Sequence, residues 1–252
     1  MNSKTLILAA AAALAACGSA QAERGTGEMG WKASSYGYGK DQVIGSGRMV
    51  SENRAIGSFE RLAIDGPVDV VIRQGSARSL TLYAEDNIIG LVRARTEGGK
   101  LSLSTMGAFR TREGIRAVLT VPALEEAAIN SSGDIQFEDW SARAAKLVIG
   151  GSGDIRLAGD VEDVRALIGG SGEIDLTATR MRNVDADIEG SGVIRVPDVA
   201  RLDATINGSG QILAEDVGEL DAVLNGSGEI LYRSADRVLR EERNGSGRIR
   251  RR

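Results

Sequence analysis

The chain has 252 residues, a formal net charge of −4, three prolines and only 4% aromatic residues. It contains no histidine, the commonest general base and metal ligand, and we expect neither a metal nor another cofactor. The acidic balance argues against a nucleic-acid partner. The length and the 42% hydrophobic content suffice for one substantial domain.

Residues 1–17 have the pattern of a signal peptide. Lys4 supplies the positive end, and the apolar run after it is too short for a transmembrane helix. Two cleavage sites compete: Ala20-Gln21-Ala22 fits ordinary signal peptidase, whereas Leu14-Ala15-Ala16-Cys17 resembles a bacterial lipobox, in which the cysteine is lipidated. The alternative to lipidation is a chance cysteine within the leader. Cys17 is the only cysteine, so we expect an exported lipoprotein of the bacterial cell envelope, held to a membrane by this lipid.

Residues 18–42 are rich in glycine and serine and lack hydrophobic periodicity. This composition is typical of a flexible tether. Trp31, Tyr36 and Tyr38 leave a second interpretation open, an aromatic patch that binds carbohydrate or a partner.

The region 43–125 alternates apolar and polar residues without a regular period. The alternation, with turn signals such as Asp65-Gly66-Pro67, predicts six strands. Their ranges are 59–65, 68–73, 79–84, 91–96, 100–105 and 115–121. Val43 to Gly47 looks like an early copy of the motif that follows. We expect this region to form degenerate coils and an N-terminal cap.

The region 126–252 repeats a Gly-Ser-Gly turn with an isoleucine two places after it. The serines of successive copies, starting with the imperfect Ser131-Ser132-Gly133, are separated by 20, 19, 20, 18, 18 and 19 residues. A period this regular indicates a solenoid. The predicted turn residues are Gly151, Ser152, Gly153, Gly170, Ser171, Gly172, Gly190, Ser191, Gly192, Gly208, Ser209, Gly210, Gly226, Ser227, Gly228, Gly245, Ser246 and Gly247.

Apolar residues occupy every second place on both sides of each turn, a pattern typical of strands with one buried face. The sequence therefore predicts an all-β protein: a parallel β-helix, or β-solenoid, with two sheets, about 19 residues per coil and tight Gly-Ser-Gly turns at one edge. We expect the turn glycines to adopt positive φ. Asn207, Asn225 and Asn244 precede the last three turns, where stacking would form a side-chain ladder.

Two motifs together resemble the bacterial head GIN domain, a family of autotransporter adhesins. They are GSGRMVSENRAIGSFERLAIDGPVDVVIRQG, within residues 44–75, and the INGSG-type repeats such as 206–210. The resemblance covers nearly all of residues 43–252. It implies a β-superhelix similar to pectin-lyase-like folds, an envelope location and a role in adhesion, and it brings no catalytic residues with it. Such an adhesin would use the lipid at Cys17 as its anchor.

The repeated serines do not fit a catalytic nucleophile. A nucleophile elbow needs glycine two places to either side of the serine, and two places after Ser171 stands Glu173. Seven equivalent serines in a chain without histidine indicate turn residues. The acids that follow four of the turns form either a calcium-binding column or a solvated edge. The calcium pattern places its aspartate one residue later, which favours the solvated edge. These acids are Asp134, Asp154, Glu173 and Glu229.

Phe137-Glu138-Asp139-Trp140 is the most irregular segment of the repeat region. One interpretation is an exposed contact site made by Trp140 and Asp139. The other is a corner with Trp140 folded over the edge of the core.

The last coil ends in a cluster of arginines: Arg250, Arg251 and Arg252. Polar residues there are expected of a terminal coil, which must turn a polar surface to water. The alternative is that these arginines bind anionic lipid or polysaccharide.

The sequence therefore predicts a non-enzymatic module of the cell envelope. Its partner is an unidentified surface ligand, a glycan or a protein, bound through a face or an edge of the solenoid. Two alternatives stay open. A carbohydrate-active enzyme of the polysaccharide-lyase type would need acids or basic residues clustered in a groove. A structural envelope component would self-associate without a ligand.

Overall fold

The computed structural model describes residues 42–252, and the predicted all-β fold is confirmed. This range holds twenty strands, a short 3₁₀ turn at Ile89–Leu91 and no α-helix. The strands of the first half are β1 (Val43–Ile44), β2 (Met49–Arg54), β3 (Arg61–Ile64), β4 (Asp69–Gln74), β5 (Ser79–Glu85), β6 (Val92–Glu97), β7 (Lys100–Thr105), β8 (Phe109–Arg110), β9 (Arg116–Val121) and β10 (Glu126–Ile129). Those of the second half are β11 (Ile135–Glu138), β12 (Trp140–Ile149), β13 (Ile155–Ile168), β14 (Glu173–Arg180), β15 (Asn183–Ile188), β16 (Val193–Val196), β17 (Val199–Gly208), β18 (Gln211–Gly226), β19 (Glu229–Gly245) and β20 (Arg248–Arg251).

The strands stack into a solenoid with two faces, as predicted. The first face consists of the strand segments that precede the turns, nine parallel segments in the order β7-β3-β10-β12-β13-β15-β17-β18-β19. The second face consists of the segments that follow the turns, in the order β9-β4-β11-β13-β14-β16-β18-β19-β20. The long strands β13, β18 and β19 belong to both faces because each runs around the looser corner.

The core lies between the two faces and is built from registered columns of aliphatic side chains. Ile155 pairs with Ile174, Ile174 pairs with Ile194, and the column continues coil by coil to Ile230. None of these isoleucines is more than 1% exposed. Burying such a side chain contributes roughly 1.5–3 kcal/mol, too little for one coil to fold alone, so neighbouring coils stabilise each other.

The first coils are not stacked in the order of the chain. β3 lies between β7 and β10, and β4 lies between β9 and β11. The chain from β5 to β9 therefore folds back beyond β3 and β4 before the regular coils begin. Three antiparallel pairs close this end of the solenoid: β2 with β5, β5 with β9, and β6 with β7.

Gly45-Ser46-Gly47 is not an early copy of the repeated turn, although its sequence predicts one. β1 pairs with β8 in a separate two-stranded sheet. The amide of Gly47 donates to Oε1 of Glu85 at 2.9 Å, and Oγ of Ser46 donates to Oδ1 of Asp86 at 2.5 Å. A Cβ on Gly45 would lie 2.0 Å from Oε2 of Glu85. This glycine therefore allows close contact with a carboxylate and takes no part in coil stacking.

Glu85 is a fully buried acid that ties this loop to the N-terminal cap. Burial favours its neutral form, but hydrogen bonds from the Thr111 hydroxyl and from the amides of Gly47 and Arg112 outweigh burial and lower the pKa of Glu85. The charged form is thus part of the folded cap.

The opposite end of the solenoid closes with a polar coil. Ala222 and Leu224 of β18 pair with Glu241 and Arg243 of β19, which are exposed. A terminal coil has no neighbour to cover an apolar surface, which explains the change from aliphatic to charged residues.

Candidate functional site

The repeated turns lie in one column along an edge of the solenoid. In each coil an amide of the turn donates to a carbonyl of the turn in the coil before it. The pairs are Ser152 to Ser131 at 2.9 Å, Ser171 to Gly151 at 3.0 Å, Ser191 to Gly170 at 3.1 Å, Ser209 to Gly190 at 3.0 Å, Ser227 to Gly208 at 3.0 Å and Gly247 to Gly226 at 3.0 Å. The turns therefore stack at one edge, as the fold prediction requires.

Glycine is needed in this column mainly because the coils approach so closely. Among the glycines of the six perfect turns, only Gly226 and Gly245 have positive φ, 135° and 134°. The expectation of positive φ is wrong for the other turns. A Cβ on Gly172 would lie 1.9 Å from the carbonyl oxygen of Gly153, and across the column the corresponding distance is 1.9–2.7 Å. Any side chain here would push neighbouring coils apart.

Polar side chains also stack along this edge. Nδ2 of Asn225 donates to Oδ1 of Asn207 at 2.7 Å, and Nδ2 of Asn244 donates to Oδ1 of Asn225 at 3.0 Å. The structure thus contains the predicted asparagine ladder. The hydroxyls of Ser227 and Ser246 are 3.1 Å apart and form another rung.

The acids after the first turns bridge successive coils. Oδ1 of Asp69 accepts the amide of Asp134 at 3.3 Å, and Oδ1 of Asp134 accepts that of Asp154 at 2.9 Å. Oδ1 of Asp154 accepts the amide of Glu173 at 2.9 Å. From Val193 onward the equivalent amide donates to a backbone carbonyl instead. Aspartate is therefore needed in the first coils, where its side chain accepts the amide of the next coil. Other residues are tolerated at the same position in the coils from Val193 onward.

These acids lie at a solvent-exposed edge, as the favoured interpretation expects, and they also form hydrogen bonds and ion pairs with neighbouring coils. Glu229, the last of the four, accepts a hydrogen bond from Nε2 of Gln211 at 3.1 Å and pairs with Arg248 at 3.3 Å. Within residues 42–252, no group of three or more acids or cysteines is arranged to hold a metal ion.

Trp140 is not an exposed contact residue. Its side chain is completely buried and packs edge-to-face on Phe137, with ring centroids 5.3 Å apart. Asp139 is exposed and has a positive φ of 48°, so it forms the corner that precedes the buried tryptophan. The contact interpretation of Trp140 is therefore wrong and the corner interpretation is confirmed. The physical reason is the large apolar area that an indole buries in the core.

A shallow groove of about 680 Å³ lies beside Trp140 on the first face. Nε1 of Trp140, which is buried there, has no hydrogen-bond partner among the described residues. The groove crosses five coils and has an apolar floor between charged rims. The floor includes Ala142, Ala145, Val164 and Val184, and the rims include Arg143, Lys146, Asp163, Arg165, Asp185 and Asp203. The sequence did not indicate this groove, because it arises only where successive coils align.

Charge is distributed unevenly along the solenoid. Residues 126–236 contain nine lysines and arginines but 21 acids, a net charge of −12. Residues 237–252 contain seven arginines and two glutamates, a net charge of +5. The pKa of Asp187 on the first face is raised, mainly by burial and also by the negative charges of Asp185 and Glu189. The negative charge of these coils attracts cationic groups and repels polyanions.

The three terminal arginines do not act as one free cluster. Arg252 forms an ion pair with Glu215, and Nε of Arg251 donates to the carbonyl of Arg233 at 2.8 Å. Arg250 is exposed, and no carboxylate of residues 42–252 forms an ion pair with it.

Cys17 and the tether aromatics lie outside the described residues, so lipidation of Cys17 stays a prediction. No helix in the described part of the chain is long and apolar enough to span a membrane.

The fold and the surfaces together define a class of protein: a parallel β-solenoid that presents polar side chains in registered columns. More particularly, the chain belongs to the family described as "Putative auto-transporter adhesin, head GIN domain", whose model matches residues 58–235. The resemblance of the motifs to that family is thereby confirmed.

Solved structures share this fold. A "putative adhesin" from Bacteroides fragilis has a TM-score of 0.71 at 20% identity, covering 83% of this chain and 100% of that chain. A "Putative lipid binding protein" from Parabacteroides distasonis has a TM-score of 0.66 at 21% identity, covering 84% and 99%. A "putative adhesin" from Parabacteroides merdae has a TM-score of 0.58 at 19% identity, covering 84% and 99%. At these identities the likeness establishes the fold alone. No curated protein matches the chain.

Proposed function

We propose that the protein is a non-enzymatic recognition module of the bacterial cell envelope, exported and anchored by lipid on Cys17. It binds a surface ligand, a glycan or a protein, through the first face of the solenoid. Membership of a family described as adhesins supports the binding role and the envelope location.

The groove beside Trp140 is the observation that carries this proposal. Its rims repeat charged groups once per coil, for example Arg165, Asp185 and Asp203 in register, at a spacing of about 4.8 Å. A ligand with its own repeat along the groove would meet a similar set of groups in several coils. Several weak contacts of this kind add up to useful affinity without any single deep pocket.

The charge of the coils favours this function over the lyase alternative. A polysaccharide lyase acts on uronate polymers, which are polyanions, whereas residues 126–236 carry a net charge of −12. Coils with this net negative charge repel a polyanion. A neutral glycan or a cationic protein segment is the better match to the groove.

A binding screen tests the proposal. The chain with Cys17→Ser is presented to neutral glycans, uronate polymers and cationic peptides, and each hit is analysed for cleavage products. We expect binding without turnover, weakened by at least about 25-fold in Asp163→Asn/Asp185→Asn, since each of the two lost contacts to a charged group contributes about 1 kcal/mol or more, about five-fold. Glu162→Gln/Asp236→Asn removes the same charge outside the groove and should bind normally.

Other outcomes decide against the proposal. Cleaved uronate products would favour the enzyme, and self-association without any ligand would favour the structural component. Equal loss of binding in both double variants would exclude the groove as the site.

The anchor is tested separately by labelling growing cells with a tagged fatty acid. We expect label on the wild-type chain and none on Cys17→Ser. An unlabelled wild-type chain would contradict lipidation.

A further inference from the structure

The C-terminal tip of the solenoid, residues 237–252, combines arginines with exposed apolar side chains. Val238 and Leu239 are 45% and 40% exposed. Residues 237–245 of β19 pair only with β18, and β20 pairs only with β19. The tip is therefore the outermost layer of the stack.

A β-bulge exposes Leu239. Leu220 of β18 pairs with Val238 and Asp221 pairs with Arg240, so Leu239 has no partner in the coil before it. Bulges at sheet edges commonly redirect a side chain. A terminal coil needs polar groups toward water, and two adjacent large aliphatic residues at its surface do not serve that need. The exposure of Val238 and Leu239 therefore needs an explanation other than capping.

The arginines beside them are only partly neutralised. Arg237, Arg240 and Arg248 form ion pairs with acids of the protein. Arg243 and Arg250 are exposed and form no ion pair with any acid of residues 42–252. The tip thus presents cationic groups and apolar side chains in a single layer.

We propose that this tip docks end-on against an anionic lipid surface, with Leu239 and Val238 in the interface and Arg243 and Arg250 at the lipid phosphates. Apolar side chains flanked by arginines are the combination that interfacial membrane binding requires. A soluble polyanion would use the arginines but has no use for Leu239, which is why a lipid surface fits better. The acidic coils oppose a flat orientation, since their net charge of −12 is repelled by the same surface.

The tip is remote from the start of the described chain. Nε2 of Gln42 donates to the carbonyl of Phe109 in β8, beside the coil of β7 and β9 at the other end of the stack. Nine stacked strands at a spacing of about 4.8 Å separate the two ends by about 40 Å. Tip docking therefore uses the end of the solenoid opposite to the one where the described chain begins, and its residues are not those that line the groove.

Co-sedimentation with vesicles tests the inference. The full chain with Cys17→Ser, which removes the N-terminal lipid, is mixed with vesicles of phosphatidylcholine alone or with an equal part of phosphatidylglycerol. We expect binding to the anionic vesicles only, decreasing with salt. Each arginine near such a surface contributes about five-fold to partitioning, so Arg243→Ser/Arg250→Ser should bind about 25-fold more weakly. Leu239→Ser should bind about five-fold more weakly with an unchanged salt dependence.

Arg180→Ser/Arg182→Ser is the matched control, because it removes the same charge from the acidic coils and should bind like the parent chain. Thermal unfolding of each variant verifies that it is folded. Equal binding to both vesicle types, or equal loss in both arginine double variants, would overturn the proposal. So would capture by a soluble sulfated polysaccharide without vesicle binding, or a dimer that Leu239→Ser dissociates. Variants of the groove should keep vesicle binding, so failure here is distinguishable from failure of the proposed function.

Discussion

Gly172→Ala tests the reason that the repeated turns need glycine. The substitution adds one methyl group at a residue outside the positive-φ region. That methyl would lie 1.9 Å from the carbonyl oxygen of Gly153 and 3.0 Å from its carbon. If close stacking is the cause, a single methyl group should separate two coils.

The size of the effect follows from this geometry. Real Cβ atoms do not approach other heavy atoms to less than 3.0 Å, so the two coils must move apart by about 1.1 Å at this turn. A backbone carbonyl cannot rotate away as a side chain could. Overpacking typically costs about 1–3 kcal/mol, and we expect the upper end, about 3 kcal/mol. For a domain of this size, that lowers Tm by about 6–12 °C.

Gly169→Ala is the matched control in the same turn. A Cβ on Gly169 would lie 3.9 Å from the carbonyl oxygen of Ile149, an ordinary contact. We expect a change within about 0.5 kcal/mol, measured like the first by calorimetry and urea unfolding. Equal Tm values for the two variants would refute close stacking as the reason for glycine.

Three further predictions concern the groups that join coils and cap. Asp154→Ala leaves the amide of Glu173 without its acceptor and should cost about 1–2 kcal/mol in urea unfolding, whereas Asp154→Asn keeps an acceptor; equal losses would contradict the bridging role. Asn225→Ala breaks two rungs of the asparagine ladder and should cost about 1 kcal/mol, about twice the loss in Asn207→Ala, and a smaller loss than in Asn207→Ala would count against the ladder. The pKa of Glu85 is lowered in the folded state, so its contribution is present above the unfolded pKa of a glutamate and is lost as the pH falls through the folded value. Glu85→Gln should therefore reduce Tm at neutral pH and flatten its decrease in acid, and an unchanged acid profile would exclude this residue as a cause.

The regular half of the chain was predictable because one short pattern recurs there. A Gly-Ser-Gly turn at a nearly constant period, with apolar residues at every second place, permits little except stacked coils. The isoleucine column that includes Ile155 and Ile230 and the ladder through Asn225 follow directly from that period.

The irregular parts were not predictable in the same way. In the sequence, Trp140 and Asp139 are equally good candidates for contact residues. In the structure, Asp139 has a positive φ and forms a corner, whereas the indole of Trp140 is buried. The groove beside Trp140 depends on side chains from five coils, and no single segment of the sequence carries it. The same holds for Arg252, whose partner Glu215 lies two coils away along the chain.

By itself, the sequence determined the all-β solenoid, its period and the edge along which its turns stack, since these depend on a local pattern copied many times. The tertiary structure decided the order of the first coils and the close carbonyl contacts that allow only glycine in the turns. It also decided which arginines at the tip form no ion pair. These features depend on contacts between residues far apart in the chain, and a local pattern contains no information about them.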